Sequence, residues 1–488
     1  MNISLNPKYR VYNELGCSFL ICTDYYIKNR ENRVPLVMLI PPYLGYMLSC
    51  FSGKDYDSTL NIISSGLNLS TEKLTNFIEK IIENTESFEY VVNGTKVFIP
   101  PSLLIRRKAD VIVYNADNFN PLAKFTGKRP SVPLFMSIVI TSKCQTDCIY
   151  CYADRSRKDD MSTERILSII DEASREGVVN VNISGGDIFA NKDWRLILER
   201  LSNYNYKPAL STKIPLEEED VVFIKNQGVR EMQLSIDSFD DATAVKILKT
   251  KNDYVDKVIR SLNFFQKHDM AINVKTVLTK YNTNIDRVSE LFETLTKFEC
   301  VTSWNLAPAF SSAFKEDYEA YRAEKSQLTE VYNYLKELDA GFDIHIEKIE
   351  RRLPETISPF DEVETFVAKN KECIGNTYSM CVFSNGQVSI CEMLYYENLF
   401  YIGDLNSDSI KGAWNSNTAM DLYFHKYTQK SSDDSPCYKC DSFKACKGSL
   451  AKKFCFADVV YRYSSKKWDY PDPRCPNAIP CDLEEVIG

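Results

Sequence analysis

The chain lacks the features that mark secreted, membrane-embedded or nucleic-acid-binding proteins. Its first residues, MNISLNPKYRVYNELG, do not have the basic-then-apolar layout of a secretory signal. No run reaches the roughly 18 apolar residues that a membrane span needs. There is no surplus of positive charge: 59 Lys and Arg face 67 Asp and Glu, a formal net charge of -8. A nucleic-acid binder usually carries a basic face, so that class is disfavoured. No internal repeat or low-complexity tract occurs. What remains is a cytoplasmic globular protein with no membrane attachment. At 488 residues it is long enough for about three units.

A further scarcity is more specific. "ITSKCQTDCIYCYAD", residues 140 to 154, spaces Cys144, Cys148 and Cys151 as C-x3-C-x2-C and then stops, with no fourth cysteine nearby. In a reducing cytosol, clustered cysteines more often bind metal or do chemistry than form disulfides. Of the 16 cysteines, three lie in this run and nine between residues 373 and 481. Cys17, Cys22, Cys50 and Cys300 stand apart and read as small core hydrophobes.

Residues 1–105 read as a small β-rich unit. "FLICTDYYI" and "VPLVMLI" are strand-like, and Pro41 to Phe51 is a candidate short helix. Ser70 is a candidate N-cap before Leu74, Phe77, Ile78, Ile81 and Ile82 at helical spacing. Asn93-Gly94 between two β-rich runs predicts a hairpin. Strands, helices and a closing hairpin suggest a winged-helix-like module. Residues 106–130, polar and rich in Asn, Pro and Gly, read as a linker.

From 131 to 345, strand-like and helix-like segments alternate. Six candidate strands are "LFMSIVIT", "VVNVNIS", "PALST", "EMQLSID", "INVKTVLT" and "SWNLAP". Such alternation means an α/β fold with a parallel sheet and helices outside, open or closed into a barrel, and six strands would make a partial (β/α)6 TIM-like barrel. Sites in such folds sit at the C-terminal ends of strands, where Cys144 lies. Residues 346–370 read as a charged connection. Residues 371–488 are cysteine-dense and are expected to have little apolar core and to rely on metal.

Three thiolates leave one iron of a four-iron cluster open, and an open position is what a site needs if it is to hold a ligand. A zinc site completed from elsewhere is the competing reading. C-x3-C-x2-C with Tyr150 before the third cysteine, after the first strand of such an array, resembles the radical S-adenosylmethionine (SAM) enzymes. The resemblance implies that SAM completes the cluster and that Tyr150 packs near its adenine. Gly185-Gly186-Asp187 stands where that family has Gly-Gly-Glu-Pro, implying a contact to the SAM amino group. Ser235 and Asp237, which period-two spacing puts on one face of "QLSIDS", resemble the residues that reach the ribose or methionyl carboxylate. Lys213 in "LSTK" departs from the family's Thr-Asn-Gly and receives no role.

The later cysteines, Cys373-x7-Cys381-x9-Cys391 with Gly386 between, then Cys437-x2-Cys440-x5-Cys446-x8-Cys455, Cys475 and Cys481, resemble a SPASM extension. Leu450 stands where that pattern has its next cysteine, and Cys455 is expected to take over. The resemblance implies two auxiliary clusters, three four-iron clusters in all. Cys373, Cys381, Cys391 and Cys455 would hold one, and Cys437, Cys440, Cys446 and Cys475 the other, with Cys481 as alternative to Cys475. A zinc-binding tail is the competing reading. Glu392 matches the acid that serves as base in sulfatase-maturating relatives.

SPASM enzymes mostly modify peptides. A winged-helix-like unit ahead of one resembles the leader-peptide recognition element of ribosomal peptide maturases. The implied activity is a cross-link, thioether or carbon–carbon, installed in a precursor peptide bound through its leader. A flavodoxin or ferredoxin-type protein would supply electrons. A formylglycine-forming maturase and a non-catalytic iron–sulfur scaffold or redox sensor are the alternatives.

Overall fold

The computed structural model describes residues 2–23, 35–92, 95–153, 159–310, 317–346, 360–370, 372–394, 396–428, 433–448 and 452–479. The chain divides into two compact units, Met1–Pro130 and Ser131–Gly488.

In the first unit, strands β1 (Asn2–Leu5), β2 (Tyr9–Glu14), β3 (Cys17–Cys22) and β4 (Val37–Ile40) precede helix α1 (Pro42–Cys50). Then come β5 (Ser52–Asp55), α2 (Tyr56–Leu67) and α3 (Thr71–Ile78). Pro42 opens α1 at a position where its missing N–H is no loss. Asp55 caps α2 by accepting from Ser58 N–H, and Ser70 caps α3 by accepting from Lys73 N–H, as its position predicted. The hairpin β6 (Phe88–Val92) and β7 (Thr95–Ile99) pairs antiparallel, Val92 opposite Thr95. Asn93 and Gly94 themselves lie outside the described residues, as do residues 24–27 of the first expected strand. Strands β8 (Leu104–Ile105) and β9 (Val113–Asn115) follow. Three helices and a hairpin thus surround a sheet of order β4-β3-β2-β9. Strand β9, inside the stretch read as a linker, runs parallel beside β2.

The second unit alternates strand and helix: β10 (Phe135–Val139), α4 (Thr163–Glu176), β11 (Asn180–Ser184), α5 (Trp194–Asn203), β12 (Ser211–Thr212), α6 (Glu218–Asn226) and β13 (Glu231–Ser235). It continues with α7 (Asp241–Leu248), α8 (Tyr254–Lys267), β14 (Ala271–Leu278), α9 (Ile285–Leu295), β15 (Val301–Pro308), α10 (Lys325–Lys336) and β16 (Asp343–Ile346). All six expected strands are present, and β16 adds one more. Strands β12 to β16 pair in order, all parallel, and β10 pairs parallel with β11. At the β11–β12 seam side chains reach across: Asn180 and Asn182 accept from the N–H groups of Lys207 and Ala209.

The C-terminal region holds α11 (Val363–Lys369), β17 (Ser379–Val382), β18 (Gln387–Ser389), β19 (Tyr401–Asp404), α12 (Ile410–Trp414), α13 (Asn417–Thr428), α14 (Phe443–Cys446) and α15 (Phe456–Tyr463). Gly386, at φ +90°, makes the turn between β17 and β18, a conformation that suits glycine. Strand β17 lies parallel beside β10, and the sheet runs β11-β10-β17-β18-β19. The expectation of little apolar core here is corrected. Met380, Val382, Val388, Ile402, Trp414 and Phe456 are buried in the same core as the barrel strands. The region folds on hydrophobic burial against the barrel as well as on whatever its thiols bind.

Candidate active site

The chain leaves β10 and enters the three-cysteine loop at the C-terminal rim. Asp160 pins the entrance by accepting from Thr141 Oγ1 at 2.7 Å and from Ser142 N–H at 2.9 Å. The far side is tied to α7, where Leu248 and Ile247 carbonyls accept from Asp147 and Ile149 N–H. The Thr146 hydroxyl lies 3.3 Å from the Cys144 sulfur and 3.4 Å from that of Cys148. Cys151 N–H donates to the Cys148 carbonyl. Burial pushes the Cys148 thiol up to about 11, with Lys213 pulling the other way. A thiolate at that position therefore needs positive charge brought to it.

Gly185 and Gly186 press backbone against this loop. A Cβ on Gly185 would lie 2.7 Å from the Thr141 carbonyl oxygen. Gly186 N–H donates to that oxygen, and Asp187 N–H donates to the Lys143 carbonyl, both at 2.9 Å. In the fold these two glycines let the second strand end approach the cysteine loop. The Asp187 carboxylate accepts from Thr212 Oγ1 at 2.7 Å and from the N–H groups of Lys213 and Phe189 at 3.1 Å. Burial raises its carboxyl and those three hydrogen bonds oppose the rise. A carboxylate offers about four acceptor positions, so little capacity is left for an ammonium group.

Tyr150, Asp237 and Lys213 form one buried group. The Tyr150 hydroxyl donates to Asp237 Oδ2. Lys213 Nζ lies 3.4 Å from the same oxygen and 5.4 Å from the centre of the Tyr150 ring. Val277 N–H donates to Asp237 Oδ1. Burial and the neighbouring Asp237 push the Tyr150 phenol well up. Ser235 ends β13, and its hydroxyl accepts from Gln233 Nε2 at 3.4 Å. Lys213 is the residue that pattern reading passed over. Its only signal was a lysine directly after a strand, where the resemblance offered no counterpart.

A cavity opens beside the loop, lined by Ser142, Tyr152, Gly185, Gly186, Phe383 and Glu392 among others. Glu392 is half-buried, and its surroundings push its carboxyl up against the opposing charge of Lys275. Tyr152 also lines the cavity and was not singled out from sequence.

The other cysteines gather in two places. Cys437, Cys440, Cys446 and Cys475 line one small cavity with Phe366 and Lys447. Burial pushes the Cys446 and Cys475 thiols up to about 12. Cys373, Cys381, Cys391 and Cys455 form the second group: Cys455 lies in the electrostatic field of Cys373 and Cys391, and Cys381 in that of Cys391. Burial raises all four thiols, that of Cys391 to about 12. Cys481 and Leu450 lie outside the described residues. All 15 described cysteines are free thiols. Thiols grouped in this way fit iron–sulfur clusters in donor chemistry. Among the described residues no group of three Cys, His, Asp or Glu side chains is placed to hold a single metal ion.

Residues 138–295 match the Radical SAM superfamily, and residues 373–441 the SPASM iron-sulfur cluster-binding domain. A probable GTP 3',8-cyclase of Methanosarcina mazei is 25% identical over 291 residues, 56% of this chain and 81% of that protein. A GTP 3',8-cyclase of Campylobacter jejuni is 26% identical over 166 residues, 33% of this chain, and the match spans about half, 51%, of that protein. In fold, the chain is similar to Streptococcus suis SuiB bound to S-adenosylmethionine, with a TM-score of 0.63 at 14% identity, covering 97% of this chain and 99% of SuiB. SuiB has also been solved bound to its precursor peptide SuiA.

Proposed function

We propose that this chain, which carries a radical SAM domain followed by a SPASM domain, is a maturase that cross-links a ribosomally made peptide. Cys144, Cys148 and Cys151 would hold a four-iron cluster whose open position takes SAM. Cys373, Cys381, Cys391 and Cys455 would hold one auxiliary cluster, and Cys437, Cys440, Cys446 and Cys475 a second. Reduced by a flavodoxin or ferredoxin-type donor, such a site supplies a 5'-deoxyadenosyl radical able to take hydrogen from an unactivated carbon. The chain's own residues do the rest. The Gly185-Gly186 turn fixes the cysteine loop, and the Tyr150–Asp237–Lys213 group closes the opposite side of that loop. Glu392 is the candidate base for the proton released as the bridge forms, and an auxiliary cluster would take the remaining electron.

The observation that carries this reading is the cavity beside the loop. The Gly185-Gly186 turn, Tyr152 of the cysteine loop and Glu392, next to Cys391, open into one space. That shared space supports a reading in which radical generation and an auxiliary cluster act on the same substrate. The fold likeness over the whole chain to a protein solved with its precursor peptide supports a peptide as that substrate. In the N-terminal unit, edge strands β4 and β9 offer a place for a leader to add as a further strand, where main-chain hydrogen bonds give affinity. A thioether is preferred over a carbon–carbon bond because a peptide thiolate can approach an auxiliary iron.

Anaerobic co-expression with the short peptide encoded beside it, followed by mass spectrometry, tests this. The expected product has lost two hydrogens per bridge, and one peptide cysteine per thioether no longer alkylates. Unmodified peptide together with SAM left intact after reduction would sink the proposal. A formylglycine product would replace it with the sulfatase-type reading.

A further inference from the structure

Hydrogen bonds join the two sets of auxiliary cysteines at two places. At the first, the peptide group between Lys452 and Lys453 spans them. Its carbonyl accepts from Cys373 N–H at 2.8 Å, and its N–H donates to the Cys446 carbonyl at 3.0 Å. At the second, Asp472 Oδ2 accepts from Cys455 N–H at 2.9 Å, and the Asp472 carbonyl accepts from Cys475 N–H at 2.8 Å. Cys373 and Cys455 belong to one set, Cys446 and Cys475 to the other. Asp472 also lines the cavity of the second set.

The Asp472 side chain is fully buried. Besides Cys455, Arg474 donates to it three times: from its main-chain N–H and Nε to Oδ1 at 2.9 and 2.7 Å, and from Nη2 to Oδ2 at 2.6 Å. A carboxylate has acceptor positions for all four donors and no donor of its own, whereas an asparagine would turn an NH2 towards one of them. The charge at Asp472 is therefore part of the geometry. Arg474, directly before Cys475, also reaches Asp458 at 3.2 Å. Asp458 lies in the first turn of α15, the helix that begins after Cys455. One acid and its arginine thus tie the backbone of Cys455 to that of Cys475.

We propose that Asp472 is a positioning residue through which the two auxiliary sets take up iron as one unit, filling either set organising the cysteines of the other. The inference rests on the cluster assignment above and goes beyond it. A filled set fixes its own cysteines, and with them the groups that Asp472 and the 452–453 peptide hold. The other set then has less conformational freedom left to lose when it fills. Such coupling is reciprocal: each set favours the other by the same factor. No electron passes between the sets in this step; only the order of their ligands is shared.

The full chain is reconstituted without oxygen at limiting iron and sulfide, and native mass spectrometry separates molecules by the number of clusters they hold. Cys381 lies in the first set and Cys440 in the second, and neither takes part in a bridge. C440S is expected to lower loading of the first set, and C381S that of the second, each by about tenfold. In a D472N background the same two changes should leave the other set nearly unaffected. If C440S or C381S leaves the other set loading as in wild type, the proposal is overturned. If D472N keeps the full coupling, Asp472 is not the link and the proposal falls. If D472N empties both auxiliary sets while the Cys144–Cys148–Cys151 cluster still fills, the proposal stands. If D472N holds no cluster at all, C440S and C381S alone decide, by the outcomes already given. Wild-type protein that never holds more than one auxiliary cluster would instead overturn the assignment on which the inference rests.

Discussion

Gly186 lies against Lys143 so closely that a Cβ built on it would fall 2.3 Å from the Lys143 carbonyl oxygen. The oxygen is backbone and a Cβ is fixed rigidly to the backbone, so neither side can swing aside. Gly186→Ala must therefore push the cysteine loop away from the end of β11. Forced overpacking of this kind costs about 1–3 kcal/mol. The expected variant melts earlier and loses one cluster's iron after reconstitution. Iron content and melting temperature equal to wild type would show that the contact gives way.

Cys148→Ala removes the most buried thiol of the loop. It should abolish 5'-deoxyadenosine formation on reduction while the auxiliary iron stays. Chromatography of the quenched reaction reads this directly. Continued SAM cleavage would mean that the loop is not the cleavage site.

Asp237→Asn leaves Lys213 beside a neutral partner in a site where the lysine side chain is only 17% exposed. Breaking a buried pair from one side is costly, here about 2–3 kcal/mol given that residual exposure. Adding Lys213→Met should recover part of the loss, because the stranded charge is then gone. Denaturant midpoints of the two single variants and the double variant give the coupling. Purely additive losses would show that the pair does not act as a unit.

Glu392→Gln keeps shape and removes the base. A positioned base contributes about 10²–10⁴-fold. Cross-linked peptide should therefore fall by about a hundredfold or more while 5'-deoxyadenosine continues to form. Product formed at the wild-type rate would assign the proton to another group.

The barrel was readable because its strands announce themselves locally. "INVKTVLT" becomes β14, whose inward residues alternate with half-buried ones along its length. The cysteine spacings were equally local. The features that escaped are held together by residues far apart in sequence. Asp160 grips Thr141 and Ser142 from beyond a stretch with no marked pattern. Lys213 meets Asp237 only because two strand ends converge. Nothing in the local sequence marks Lys447 and Lys452 as buried, since burial of a charge depends on what folds over it. Asp187 was readable as a carboxylate at a strand end, but not as one already committed to Thr212 and two backbone N–H groups. Strand β17 carries no local mark of the neighbour it finds in β10.

That pairing bears on how the protein comes into being. Phe135 pairs with Asn180 on one side and with Ser379 on the other. A ribosome that has released β10 through β16 has made a half-barrel whose first strand is still bare along one flank. Bare strand flanks recruit other chains. The hazard lasts until residue 382 clears the exit tunnel, so slow translation or a premature stop anywhere between the barrel and β17 should yield insoluble protein.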